Sequence, residues 1–208
     1  EEVITQFTSV EGQKYRFSQA ALCAIDPNSG YILAMVGGKN FDESEYNRVT
    51  QAKRSPGSSF KPFTYTAALE KGISPGEIIY DSPTTFNVFP DKKHPDGKWK
   101  PKNFDRKFRG PVTLQYALEN SLNIPSLKLL QKVGIEDTIN VARKMGIKSP
   151  ISPTLSLTLG TSDMTLLEMT SAYGVFASSG VRFEPISIIK VTDRNGKILE
   201  QAEIKGYQ

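Results

Sequence analysis

The sequence is short of the residues that staple, ligate or span. It holds a single cysteine in 208 residues, so no intrachain disulfide can form. That residue, Cys23, sits in the apolar run AALCAI and reads as a small core side chain rather than a nucleophile. A single histidine, His94, lies in the polar turn DKKHPDGK. It has no partners at ligand spacing, so it reads as solvated surface, and neither a metal nor another cofactor is expected. No run of about eighteen apolar residues exists, so no segment is expected to cross a membrane. The opening EEVITQF has neither the charged nor the apolar region of a signal peptide. The chain also begins without methionine, and the expectation is a piece of a longer protein. No internal repeat or low-complexity tract is present.

What is there reads as globular. The apolar fraction is 38% and the charged fraction 23%, and a chain of this length buries about 70% of its unfolded surface, so disulfides are not needed. Net charge is +4, with lysine and arginine densest over residues 92–109. That zone reads as a solvated basic loop. No aromatic-basic motif accompanies it, so nucleic acid is not an expected partner, and weak attraction to an anionic envelope surface is the milder alternative.

Residues 19–38, QAALCAIDPNSGYILAMVGG, predict a β-hairpin turning at DPNSG with Gly30 at positive φ. Both runs are nearly continuously apolar, which predicts a sheet covered on both faces. Residues 39–55 read as loop. A helix is expected from Pro56 to Lys71, closed by Gly72. Residues 73–110 show little periodicity and read as a long functional or lid-like segment. Helices follow in PVTLQYALEN with Thr113 as N-cap, in SLNIPSLKLLQKVG, in GIEDTINVARKMG and in MTLLEMTSAYGVFASSG. The last carries an apolar face of Leu166, Leu167, Met169, Ala172, Tyr173 and Phe176, expected to be core. Residues 181–201 read as a second hairpin turning at DRNG. The organisation is thus a hairpin at 19–38, a mainly helical region at 56–180 and a hairpin at 181–201.

The chemistry concentrates in RSPGSSFKPFTYTAALEKG, which holds Ser55, Ser58 and Ser59 just ahead of Lys61. Only Ser58 stands three residues before the lysine, where a helix brings hydroxyl and amine to one face. Lysine acts as a base only if its pKa falls well below about 10.4, through burial or a neighbouring cation. Phe60 and Phe63 offer an apolar wall. At a helix start, free N–H groups and the helix dipole favour the negative charge that develops in acyl transfer to a serine. On spacing alone, a helix-start serine beside a surface lysine explains the motif as well. A second match, Ser187 to Lys190, is read on a strand, where residues three apart face opposite ways. Ser121-Leu122-Asn123 falls at a break between helices. There Ser121 can pass a proton and Asn123 can hold a substrate amide or the lysine, although both are also ordinary capping residues.

Taken together, S-x-x-K at a helix start after a hairpin, then S-x-N some 60 residues later between helices, resembles the penicillin-recognising serine enzymes. RSPGSSFKPFTYTAALEKG, KNFDRKFRGPVTLQYALENSLNIPSLKL and LTLGTSDMTLLEMTSAYGVFASSGV are most similar to the transpeptidase domain of class A, bifunctional penicillin-binding proteins. The resemblance runs from about Arg16 to Gln201. It implies an α+β fold, an antiparallel sheet with an all-helical subdomain, and D,D-transpeptidase chemistry. Ser58 would be the nucleophile and its backbone N–H part of the oxyanion hole. Lys61 would be the general base, Ser121 the proton relay and Asn123 the group orienting substrate and lysine. The implied partners are peptidoglycan stem peptides ending in D-Ala-D-Ala, and β-lactams that mimic them. The implied location is the outer face of the bacterial cytoplasmic membrane, anchored by a segment not in this sequence. A serine β-lactamase or β-lactam sensor of the same superfamily is the nearest alternative; a non-catalytic scaffold is the alternative of another class.

The family's third motif, K-[ST]-G on a strand bordering the cleft, is not found. Lys71-Gly72-Ile73, Lys132-Val133-Gly134 and Lys205-Gly206-Tyr207 do not fit it. In the family it follows the segment that ends this sequence, so the expectation is a partial transpeptidase domain over 1–208 that lacks later sheet strands and is inactive alone. A companion fragment or a homodimer would then complete the sheet. The register predicts that a labelled penicillin maps by mass spectrometry to Ser58 in the full-length product of the gene. The 208-residue chain alone should be labelled at least about 100-fold more slowly, for want of an oxyanion-hole donor. Label on Ser55 or Ser59, or label surviving Ser58→Ala, contradicts the assignment.

Overall fold

A computed structural model describes residues 18–208; EEVITQF and Arg16 lie outside the described residues. The elements begin with β1 (Leu22–Ile25), β2 (Ile32–Val36) and β3 (Lys53–Arg54). A 3₁₀ turn at Gly57–Phe60 leads into α1 (Lys61–Glu70). Next come β4 (Ile78–Asp81), β5 (Phe86–Asn87), β6 (Lys98–Trp99) and β7 (Gly110–Thr113). Helices α2 (Leu114–Glu119), α3 (Asn123–Val133) and α4 (Ile135–Lys144) follow, then a 3₁₀ turn at Leu155–Leu159. The chain continues with β8 (Met164–Thr165), α5 (Leu166–Ala177), β9 (Arg182–Phe183), β10 (Lys190–Thr192), β11 (Ile198–Gln201) and β12 (Gly206–Tyr207). This is an α+β fold in two compact units. One comprises Ser55–Arg143 and Pro150–Asp163, and the other takes the remaining described residues.

The second of these units holds the first hairpin. β1 and β2 pair antiparallel, with Leu22 opposite Val36 and Ala24 opposite Ala34. The turn closes through Ser29 Oγ donating to Asp26 Oδ2 at 2.6 Å, and Gly30 takes φ +78° as its position requires. A Cβ there would also lie 2.1 Å from the Glu184 carbonyl oxygen. The expected two-sided burial is not found: α5 packs on β1, but Leu22 and Leu33 remain 45% and 68% exposed. The apolar stripe of α5 is likewise not all core. Ala172 is buried, whereas Leu166, Tyr173 and Phe176 are exposed to solvent. α5 groups with this hairpin rather than with the other helices. Its start is fixed by a capping box between Thr165 and Glu168. The Glu168 carboxylate also accepts from the Lys148 and Ser149 amides and from Ser149 Oγ. Partial burial pushes the Glu168 carboxyl up, but these hydrogen bonds outweigh it and bring its pKa down to about 2.

The stretch expected as one hairpin at 181–201 is split. β9 pairs with β12 beyond it, and only β10 and β11 form the hairpin, turning at Gly196 with φ +82°. Pro185 explains the break, since it donates no ladder hydrogen bond. Ser187 accordingly sits in a bend, with only Lys190 of its motif on a strand.

The first unit carries helices α1 to α3 and nearly all of α4. Its core is built from Phe60, Phe63, Ile124, Leu127, Leu129, Leu130 and Leu157, all fully buried. The segment 73–110 is more structured than its composition predicts: β4 pairs with β7 and β5 with β6. Phe86 on β5 packs with Ile124 and Leu127 of α3, and Trp99 on β6 lies against them. His94 is not free in solvent; its ring meets Trp99 edge-on at 6.2 Å and its Nδ1 lies 3.2 Å from Asp91 Oδ1. α1 ends in a Schellman motif, with Gly72 N donating to Leu69 O, Ile73 N to Ala68 O, and Gly72 at φ +76°. Thr113 caps α2 by accepting from Tyr116 N at 3.1 Å, as its sequence position predicts.

The turn ahead of α1 is seated against the second 3₁₀ turn. Ser55 Oγ donates to Gly160 O at 2.5 Å, and a Cβ on Gly160, at φ +72°, would fall 2.2 Å from Gly57 O. Gly160→Ala is therefore expected to cost about 2–4 kcal/mol, from left-handed strain plus overpacking. Gly180→Ala, at φ +95° with open space around it, should cost only about 1 kcal/mol. Urea unfolding midpoints of the two variants test the contrast.

Candidate active site

The 3₁₀ geometry at Gly57–Phe60 is what brings Ser58 and Lys61 together. In a 3₁₀ turn residues i and i+3 eclipse, so the lysine at the start of α1 stands directly over the serine. The sequence predicts an α-helical first turn here; the tighter turn gives a closer superposition. Lys61 Nζ lies 3.1 Å from Ser58 Oγ. The other two serines are committed elsewhere: Ser55 Oγ to Gly160 O, and Ser59 Oγ to Pro56 O at 2.6 Å. Ser58 is exposed, while Lys61 is 0% exposed. Phe60 and Phe63, both fully buried with ring centroids 4.8 Å apart, belong to the apolar surroundings of the α1 start. Burial pushes the Lys61 amine down from its ordinary value to about 8.

Ser121 and Asn123 meet the same amine. Nζ lies 3.0 Å from Ser121 Oγ, 2.6 Å from Ser121 O and 2.9 Å from Asn123 Oδ1. The Ser121 carbonyl and the Asn123 amide oxygen can only accept. A neutral amine has two N–H groups, which these two oxygens take up. Its lone pair is then left for a hydroxyl proton, from Ser58 or Ser121. Four oxygens around a buried amine thus suit the neutral form as well as the charged one.

Ser121 is held in a strained conformation by the helix end it closes. It occupies the C′ position of a Schellman motif that ends α2, with Ser121 N donating to Leu118 O and Leu122 N to Ala117 O, both at 2.9 Å. Glycine is usual at that position, yet the serine takes φ +50°. The left-handed residue turns the chain sharply, so that α3 starts two residues later with Asn123 beside Lys61. Behind this corner, Ser126 Oγ donates to Leu122 O at 2.7 Å and lies 3.2 Å from the Tyr65 hydroxyl, tying α3 to α1. Thr64 Oγ1 donates to Thr158 Oγ1 at 3.0 Å in the fully buried contact between α1 and the second 3₁₀ turn.

All four residues singled out in the sequence are therefore brought together in one unit. Sequence reasoning missed the support beneath them. The segment 73–110 supplies Asn103, whose Oδ1 accepts from Asn123 N at 2.8 Å. Asn103 Nδ2 in turn reaches both oxygens of Asp81, at 2.8 and 2.9 Å. Nothing local marks the link from Asp81 through Asn103 to Asn123, because these residues lie 22 and 20 positions apart.

Comparison with known proteins identifies the family. A family model for the penicillin binding protein transpeptidase domain matches residues 20–206. Penicillin-binding protein 1A of Pseudomonas aeruginosa is 42% identical over 186 residues, covering 89% of this chain and 22% of that protein. Its counterpart in Aquifex aeolicus is 41% identical over 183 residues, or 88% of this chain and 24% of that one. The chain thus spans about a fifth to a quarter of the length of these relatives. The crystal structure of penicillin-binding protein 1A from Haemophilus influenzae superposes with a TM-score of 0.81 at 37% identity, covering 90% of this chain and 28% of that one. PonA1 from Mycobacterium tuberculosis in complex with penicillin V gives 0.76 at 28% identity, over 97% of this chain and 56% of that one. With its exposed serine over a buried lysine and a matching model across nearly its whole length, the chain belongs to the penicillin-binding protein transpeptidase domain family.

Proposed function

We propose that this chain carries the nucleophile, base and relay of a peptidoglycan D,D-transpeptidase, with Ser58 as the acylated residue. The observation that carries the reading is the buried amine of Lys61, 3.1 Å from the hydroxyl of an exposed serine. Ser58 Oγ attacks the carbonyl of the penultimate D-alanine in a D-Ala-D-Ala stem peptide, and its proton passes to Lys61 Nζ. The negative charge on the carbonyl oxygen is met by the Ser58 backbone N–H, one of the helix-start donors that a helix leaves unpaired. The C–N bond breaks, and the terminal D-alanine leaves with a proton delivered from Nζ through Ser121 Oγ. An amine of a neighbouring stem peptide then attacks the ester, gives its proton to Nζ, and Ser58 recovers it. Asn123 keeps the amine aimed during both halves. Penicillin V, the ligand in the PonA1 complex, exemplifies the β-lactams expected to enter the same first step on this chain.

The site works on the outer face of the cytoplasmic membrane, where its substrate is. No helix among the described residues is long and apolar enough to cross a membrane. The exposed Leu22 and Leu33 of the first hairpin favour a further segment, or a second copy, pairing there.

Two outcomes test the reading in the full-length product of the gene. Acylation by penicillin should rise about tenfold per pH unit below pH 8 and level off above it, because only the neutral Lys61 amine accepts the serine proton. Lys61→Arg should remove acylation, since arginine keeps its proton; a flat pH profile, or an active arginine variant, places the base elsewhere. Ser121→Gly separates relay from helix cap. It should leave stability unchanged or raise it by up to about 1 kcal/mol, by relieving the left-handed strain. It should also slow acylation by about 100-fold or more. Near-normal acylation, read with thermal unfolding on the same sample, leaves Ser121 a capping residue only.

A further inference from the structure

We propose that Asp81 and Asn103 are positioning residues for the Ser58–Lys61 centre, acting as a clamp on the first turn of α3. The inference rests on the assignment of Ser58 and Lys61 made above. Asp81, at the end of β4, is 0% exposed and Asn103 is 4% exposed. Both carboxylate oxygens of Asp81 accept from Asn103 Nδ2, and Oδ2 also accepts from Arg109 N at 3.1 Å. The Arg109 guanidinium lies 3.8 Å from the same oxygen and compensates the buried charge. Because the Asp81 oxygens are acceptors, the group facing them must be the Asn103 NH₂, which also donates to Lys107 O at 2.8 Å. The amide cannot flip. Its Oδ1 is thereby turned toward α3, where it accepts from Asn123 N at 2.8 Å and Ile124 N at 3.3 Å.

That contact replaces a missing cap. The residue at the N-cap position of α3 is Leu122, which has no side-chain acceptor. Asn103 supplies one from a distant loop and satisfies the first helical amides. Asn123 returns the contact: its Nδ2 donates to Lys102 O at 2.9 Å while its Oδ1 accepts from Lys61 Nζ. Each asparagine thus grips the backbone of the other's segment. The clamp closes on the side chain that aims the amine at Ser58. A contact that merely tied β4 to the following loop would be served by Asp81 accepting from Arg109 N and from an Asn103 NH₂ that also reaches Lys107 O, and would not spend the Asn103 oxygen on α3. The chain of polarity runs from an acceptor-only carboxylate, through one fixed amide, to the helix start and then to the amine.

The test uses the full-length product of the gene, labelled with a fluorescent penicillin and mapped to Ser58, with thermal unfolding measured in parallel. Asn103→Ala and Asn123→Ala should each slow acylation of the folded protein by about 10- to 100-fold, as a displacement of about 1 Å does. The loss should fall on the first-order acylation step rather than on initial penicillin binding. The double variant should be no more than about 3-fold slower than the slower single one, because both open the same clamp. Asp81→Asn is isosteric and frees the Asn103 amide to flip, so it should slow the same step about 10-fold; if Asn103→Ala does not fold, this variant decides. Variants that lose thermal stability yet acylate at the unaltered rate overturn the clamp, as do losses that multiply in the double variant. Absence of label on Ser58 in the unaltered protein overturns the assignment beneath it and the clamp with it, a failure distinct from normal labelling in the variants.

Discussion

The arrangement depends on keeping one amine out of water. An exposed lysine is an ammonium with a pKa near 10.4 and has no lone pair to offer a serine. Lys61 is fully buried, and desolvation lowers its amine to about 8. Burying an amine is costly unless it is hydrogen-bonded, and here a carbonyl and an amide oxygen satisfy both N–H groups of its neutral form. The serine beside it stays exposed. A buried amine and an exposed hydroxyl within 3.1 Å of each other follow from the 3₁₀ turn, which stacks residue 61 over residue 58 where the chain passes from surface to core.

Much of the surrounding unit serves to hold that contact. The aromatic and aliphatic core of α1 and α3 excludes water from the amine. Gly160 approaches the Gly57 backbone more closely than any side chain on it would permit, which fixes the start of the turn. Ser121 takes a conformation that favours glycine, and its strain is offset by the hydrogen bonds that end α2 and by packing of Leu122 with Val112 and Ala117. Local strain at the site is stabilised by ordinary apolar burial behind it.

The other unit follows a different logic. Its best-satisfied group, Glu168, gathers five hydrogen bonds from Lys148, Ser149 and Thr165 and fixes the entry to α5. Among the described residues, α5 is the helix that packs on the neighbouring hairpin, and Leu33, Tyr173 and Phe176 keep solvent contact. These residues read as core in the sequence because apolar periodicity reports which face is apolar, not what covers it.

The sequence by itself determined the local chemistry. Spacing singled out Ser58 from three serines, because three residues along a helical turn return to the same face. Turn residues marked the hairpin at DPNSG, and Gly72 and Thr113 marked helix ends, since each acts through backbone groups within four residues. S-x-N was visible as a pair, but not its left-handed corner or the carbonyl it aims at Lys61. What only the tertiary structure decided is everything whose partner is distant along the chain. The depressed Lys61 amine needs the burial that α3 completes about 60 residues later. The strands in 73–110 are two to four residues long, too short for periodicity to register. The Asp81–Asn103–Asn123 chain joins residues 20 or more positions apart, and a polar side chain carries no local mark of the partner it will meet once the chain has folded.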